Sequence, residues 1–348
     1  GAAIMAAPAA VLGQGAMAPG SIPDAYREAA SRLIEAALAD SAASWQRLAV
    51  LTDRFGPRFS GTRSLEDAND WILERMAADG LDAVRGEPVM VPQWIRGEES
   101  ARLLEPWAKE LAMLGLGGSV GTPEGGITAE VLVVSSFEEL ADRAAEAAGR
   151  IVLFDVPFTS YGATVQYRTS GAIAAARAGA VASLIRSVTP YSLNTPHTGM
   201  MRYEDGVDRI PHAALTVEDA IMLHRMAERG ERIVVHLEMG ARTGPDVESR
   251  NVIAELRGTE FPDEIVVLGG HTDSWDVGTG AMDDAGGVVA AWEAVRLMKE
   301  LGLRPRRTIR VVGWTNEENG LRGATAYRDA HADALEDHVL AIESDAGV

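Results

Sequence analysis

The 348-residue chain contains no cysteine. Disulfide frameworks and thiolate chemistry are therefore excluded, and any metal must be held by histidine and carboxylate. Positive charge is scarce: 32 Lys and Arg stand against 51 Asp and Glu, a formal net charge of −19. Nucleic-acid binding needs a basic patch and anionic lipid attracts basic segments, so no nucleic acid and no membrane are expected as partners. The acid excess by itself means solubility. No apolar run is long enough to span a bilayer, which takes about 20 residues, and no internal repeat is visible. What is present is ordinary for a folded chain, with 47% hydrophobic and 24% charged residues. The length suggests two or three domains, at about 150 residues per domain.

Residues 1–20 are uncharged and rich in Ala and Gly. They read as the remnant of a secretory signal, with small residues near a cleavage point such as Ala16-Met17-Ala18, or as a disordered end. The first alternative makes the protein secreted or periplasmic. Over 24–54, Tyr26, Ala30, Leu33, Ile34, Ala37, Leu38, Trp45, Leu48 and Leu51 recur at helical spacing, until Gly56 and Pro57 break the pattern. A second helix is predicted over 64–78, with Ser64 as N-cap and Asp67 as its partner, and a strand over 84–92. Between 94 and 247, short apolar runs at 129–134, 151–156, 180–185 and 232–238 are separated by turn residues, with helical patterns over 170–178 and 217–229. This segment reads as an inserted α+β domain between a first part, 21–93, and a last part, 248–348. Its His197, His212, His224 and His236 stand singly, as core or surface histidines do. The acid pairs Glu98-Glu99 and Glu138-Glu139 read as solvated.

After Pro245, predicted strands at 251–256, 264–269, 308–314 and 338–342 alternate with helices at 285–301 and 323–334. The fold class is therefore α/β, a mostly parallel mixed sheet flanked by helices. His271 and Asp273 follow one strand, Glu317 and Glu318 the next, and Asp345 the last, while Asp283 and Asp284 open a helix. Ligands of open α/β sheets sit outside the carboxyl ends of strands, so these residues converge on one edge. Each alone has a plainer reading: Asp283 or Asp284 as an N-cap, His271 as a polar strand end, the glutamates as a surface pair. The joint placement favours a site.

The runs GGHTDSWDVGTGAMDDAGG, WTNEENG and ESDAG resemble the zinc aminopeptidase and glutamate carboxypeptidase family of metallopeptidases, and the similarity extends from about residue 25 onward. IPHAALTVEDA and GRIVLFDV are similar to the protease-associated domain inserted in such enzymes. The resemblance implies a zinc-peptidase fold and two Zn2+ ions, with Mn2+ or Co2+ as substitutes. It makes His271, Glu318 and Asp345 ligands, Asp283 the carboxylate bridging both ions, Glu317 the general base and Asp273 a group orienting His271. It implies a small peptide substrate cut at a chain end, and a homodimer as the form its relatives often take. It also implies a further histidine completing the second ion's shell. No histidine follows Asp345, and neither His331 nor His338 is promoted to that place. The chain is therefore expected to be truncated at its C-terminus, with the second site incomplete. A non-catalytic scaffold and a single-zinc glutaminyl cyclase are the competing expectations.

Overall fold

The computed structural model describes residues 23–39, 41–191 and 193–345; the run 1–20 lies outside them. A five-stranded sheet is built from β1 (Asp82–Val91), β2 (Val247–Leu256), β3 (Phe261–His271), β4 (Arg307–Trp314) and β5 (His338–Glu343), in the order β1-β2-β4-β3-β5. It is mixed. β1 pairs antiparallel with β2, and β2 with β4, whereas β3 runs parallel to both β4 and β5. The parallel half carries every expected site residue, and its three strands end on the same edge.

Sequence alternation separates the two faces of this sheet. Val252, Ala254 and Val311 join Leu51, Ile72, Met76 and Trp292 in one core layer, supplied by helices α2 (Ser41–Phe55), α3 (Arg63–Ala78) and α4 (Gly286–Glu300), while α1 (Asp24–Ala39) lies against α4 outside that layer. Ile253, Val267 and Val312 face the other way and pack with Tyr327 of helix α5 (Arg322–Ala330). β1 and β2 are the strands between which the inserted segment leaves and returns, since Val91 pairs with Val247. A segment whose two ends are neighbours in a ladder can be inserted without disturbing the sheet.

An eight-stranded sheet lies entirely between Glu99 and Met239. Its parallel centre is formed by Ile127–Val134, Ile151–Phe154, Ala182–Arg186 and His212–Leu215. The same alternation sorts Val131, Val133, Ile151 and Leu153 onto one face and Leu132, Val134, Val152 and Phe154 onto the other. Among the described residues no helix is long and apolar enough to cross a membrane.

Several local expectations change. The helix expected over 24–54 is two helices, 24–39 and 41–55, and the first buries none of its residues. Tyr26, Ile34, Leu38 and Trp45 are exposed; periodicity identifies an apolar stripe but not what covers it. The N-cap of α3 is Thr62, whose hydroxyl accepts from the Leu65 amide at 3.3 Å. Ser64 instead turns its hydroxyl back onto the Phe55 and Pro57 carbonyls. The helix expected over 170–178 begins at Tyr161, capped by Ser160. Glu99 is not solvated: its carboxylate accepts from the Gly115 amide and faces Arg96 at 3.7 Å.

Candidate metal centre

β3 ends at His271, whose ring is buried. Its Nδ1 lies 2.9 Å from the main-chain carbonyl of Asp273, which fixes Nδ1–H as the donor there and makes Nε2, on losing its proton, the ring's ligand atom. Nε2 lies 3.0 Å from Asp283 Oδ1 and 3.4 Å from Asp345 Oδ1. Asp345 is held there because the ladder between β3 and β5 continues past Glu343, with the Ser344 amide donating to Gly269 O at 2.9 Å. One donor atom from each of His271, Asp283 and Asp345 lies within 4.8 Å of the others.

The two successive aspartates divide the plain role and the chemical one. Asp284 is buried; its carboxylate accepts from the His271 amide and the Gly287 amide, both at 3.0 Å, and so caps α4. Asp283, joined to it by a cis peptide, is left to face the ring of His271. Gly287 is needed at this junction, because a Cβ there would lie 1.9 Å from Ser344 O.

Asp273 is fully buried, but its carboxylate is not the group that orients His271. The distance from Nδ1 to Asp273 Oδ1 is 3.6 Å, beyond hydrogen bonding. The carboxylate instead accepts the Glu317 amide at 3.1 Å, the Glu318 amide at 3.2 Å and the Ser60 hydroxyl at 3.1 Å. Asp273 thus contributes twice: its carbonyl sets the imidazole, and its side chain pins the turn bearing both glutamates. Asn316, in the left-handed region at φ 62°, lets the chain fold back into that turn.

The loop from Thr272 to Gly280 is held from below by Arg58. This buried guanidinium donates to the carbonyls of Thr272, Thr279, Gly280, Leu51 and Gly56. Burial lowers its pKa to about 10, with Asp273 opposing, so it stays charged. Arg96 reaches the same loop from the inserted segment through a two-pronged pair with Asp276, at 2.7 and 2.8 Å.

Without a cation the acids crowd one another. Glu318 is pushed up to about 9 by burial and by Asp283. Glu317 and Asp284 are each pushed up to about 7, chiefly by burial. Asp283 is held low by its hydrogen bond from His271. Burial opposes a charged imidazole at His271, yet the surrounding carboxylates outweigh it and raise the ring well above its ordinary range. This electrostatic frame suits a cation. A tetrahedral ion with donors at about 2.0–2.2 Å spaces them roughly 3.3–3.6 Å apart; the Nε2–Asp345 separation of 3.4 Å falls in that range, and the Nε2–Asp283 separation of 3.0 Å needs to open by a few tenths of an ångström. The donor set of one imidazole with carboxylates fits zinc.

A cavity of about 420 Å³ opens onto the centre. Asp283, Glu317, Glu318 and Trp275 line it on the side of the first sheet, and Tyr161, Arg168 and His197–Met200 of the inserted segment line it on the other. The expectation of scattered, unremarkable histidines therefore fails at His197. It holds at His212, whose ring nitrogens meet only main-chain carbonyls, at His224, which faces Asp155, and at His236, which faces Thr128. Ser60, Arg58, Arg168 and His197 all escaped the sequence reading; none sits in a spacing pattern that separates it from ordinary core or surface residues.

The profile of Peptidase family M28 matches residues 251–347. Carboxypeptidase Q of Mus musculus is 54% identical over 304 residues, covering 87% of this chain and 65% of that protein. Carboxypeptidase Q of Xenopus laevis is 53% identical over 324 residues, covering 92% and 69%. The chain thus spans about two thirds of the length of these relatives. Among solved structures, a Peptidase M28 precursor from Shewanella amazonensis superposes with a TM-score of 0.89 at 38% identity, covering 93% of this chain and 75% of that one. A zinc aminopeptidase from Bacillus subtilis shares the fold, with a TM-score of 0.63 at 23% identity over 82% of this chain and 64% of that one.

Proposed function

The chain belongs to peptidase family M28, among its carboxypeptidase Q-like members, and from that premise we propose that it is a zinc-dependent exopeptidase or dipeptidase acting on small peptides. The observation that carries the reading is the convergence of His271 Nε2, Asp283 and Asp345 within ligand spacing, beside two glutamates pinned by a buried aspartate. In this proposal His271, Asp283 and Asp345 would hold zinc together, with Asp283 also available to a second ion that Glu318 would help to hold. Bound zinc ions supply Lewis acidity toward the scissile carbonyl and acidify the attacking water. The chain's own residues do the rest. Glu317, held by its amide on Asp273 and facing the cavity, takes the proton of the attacking water and delivers it to the leaving amine. Arg58 and Asp273 tie down the two loops that carry these groups, which favours a preorganised site.

The test is hydrolysis of a dipeptide panel by the zinc-loaded protein and by Glu317→Gln. The expected result is zinc retained and activity lost. Activity unchanged by the substitution would remove Glu317 from the mechanism, and a protein that binds no zinc would favour a scaffold role.

A further inference from the structure

One side chain joins the inserted segment to the loop that runs between His271 and Asp283. Arg96 lies just inside the inserted segment and is 8% exposed. Its Nε and Nη2 form the two-pronged pair with Asp276, at 2.8 and 2.7 Å, and its Nη1 donates to the Gly115 carbonyl. Glu99, 3.7 Å from the same guanidinium, accepts from the Gly115 amide, so both polar groups of Gly115 are tied to this cluster. The guanidinium also lies over the Trp94 ring, 5.0 Å from its centroid. A planar fork met on all these sides has one orientation available to it.

Two residues beyond Gly115, Gly117 meets the sequence neighbour of Asp276. Trp275 stacks on Phe59 at 4.9 Å, and Phe59 meets Trp94 edge-on at 6.0 Å. A Cβ on Gly117 would lie 2.1 Å from Trp275 Cη2, so the indole rests there on bare backbone. The Gly117 amide donates to Gly199 O at 3.0 Å and its carbonyl accepts from the Met201 amide at 2.9 Å. Contacts thus run without a gap from the metal-binding loop to His197–Met200 on the far wall of the cavity. The crossing between the two parts is equally tight. Trp94–Ile95 pairs with Arg242–Thr243, the Gly240 amide donates to Glu98 O at 2.8 Å, and a Cβ on Gly97 would lie 2.6 Å from Gly240 O. A hinge needs a few residues free to change φ and ψ; these two crossing segments bind each other instead.

We infer that Arg96 is a positioning residue: it clips the inserted segment to the metal-binding loop and makes that segment a fixed roof over the cavity, not a lid that opens and closes during turnover. The consequence for catalysis rests on the exopeptidase reading; the clip itself does not. With the roof fixed, the interval between His197–Met200 and the acids Asp283, Glu317 and Glu318 is set before a substrate arrives. None of the substrate's binding energy then goes into closing the site.

The absence of cysteine allows clean labelling. Asp142→Cys on the inserted segment and Asp263→Cys on the first sheet, both at exposed positions, carry spin labels for pulsed dipolar spectroscopy. In zinc-loaded Glu317→Gln the distance should be single and narrow, and unmoved by alanyl-alanine. A broad distribution, or a shift of several ångströms on adding the peptide, would overturn the fixed roof. Arg96→Met should broaden the distribution. Asp276→Asn, which keeps the shape and removes the charge, should do the same without leaving Glu99 unpaired. Broadening in neither variant would overturn the clip. Turnover reads the positioning role, with Glu317 restored. Each substitution should lower kcat/KM for alanyl-alanine about 10–100-fold, the loss that a misplacement of about 1 Å can produce, with zinc content retained. The double variant should be no worse than the worse single one, and Arg96→Lys should recover part of the loss. Tetra-alanine should lose less, because a loosened roof admits longer chains; a merely structural role would lower both peptides together with zinc content. A narrow distance that broadens in Arg96→Met, with no hydrolysis by the wild type, would keep the clip and sink the peptidase reading. Hydrolysis indifferent to both substitutions, with zinc retained, would do the reverse.

Discussion

Asp273→Asn isolates the buried carboxylate that joins the two halves of the centre. Three groups donate to it: the amides of Glu317 and Glu318 and the hydroxyl of Ser60. An asparagine keeps one acceptor oxygen. Ser60 can rotate to accept from the new NH2, but in either orientation of the side-chain amide one of the two glutamate N–H groups faces another donor. Losing one charge-assisted bond and leaving a buried N–H unsatisfied costs roughly 2–3 kcal/mol. The contact between the Asp273 carbonyl and His271 is main-chain and survives. The cost therefore falls on the turn carrying Glu317 and Glu318. Zinc affinity at the Glu318 side should drop about 10–100-fold, while the ion held by His271, Asp283 and Asp345 is retained. Zinc competition against a chromophoric chelator, resolved into two sites, measures this. Affinities within twofold of wild type at both sites would show that the carboxylate does not hold the turn. Loss of the His271 site alone would show that the carboxylate, not the carbonyl, orients the ring.

Further consequences follow from the same geometry. Glu318 sits near pKa 9 and Glu317 near 7 in the metal-free protein, so zinc binding at pH 7.5 should release protons and weaken as pH falls; calorimetry in buffers of different ionisation enthalpy reads the release, and pH-independent affinity would contradict it. Gly287→Ala places a methyl against Ser344 O, pushes the segment bearing Asp345 away and should weaken zinc about tenfold or more; an unchanged affinity would show that the segment yields freely. Burial depresses His212 to about 4 against carbonyls that favour its charged form. The unfolded chain therefore binds the extra proton between pH 6.5 and 4, and stability should fall on acidification through that window by up to about 3 kcal/mol. Urea denaturation of wild type and His212→Gln from pH 7 to 5 checks this, with a smaller decline expected in the variant.

The site's donors were legible because chemistry and topology coincide in the chain. Three apolar strand runs each end in acids or His271, and a parallel sheet can only bring such ends to one edge. Asp283 and Asp284 could not be told apart by sequence, since either could cap a helix; only the fold shows Asp284 on the amides of His271 and Gly287. The role of the Asp273 side chain was misread for a similar reason. A spacing of two places a carbonyl and a carboxylate near the ring alike, and which one reaches Nδ1 depends on backbone geometry. The inserted segment's wall of the cavity was invisible. Arg168 lies in a stretch, YGATVQYRTS, with weak helical patterning, and what makes it unusual is burial without an acid, a property of the fold. The strands Glu99–Glu105 and His212–Leu215 were missed because the first is rich in polar residues and the second is too short to show a period. The stripe on α1 was legible as helical periodicity, yet sequence carries no information about whether an opposing surface exists.

The central claim is that His271, Asp283, Asp345 and Glu318 form a metal centre. The most direct measurement is anomalous X-ray diffraction at the zinc edge from crystals of zinc-equilibrated protein. The account predicts one peak bounded by His271 Nε2, Asp283 and Asp345, and a second on the opposite side of Asp283 beside Glu318. Absence of any peak at Asp283, with zinc bound elsewhere or not at all, would contradict it.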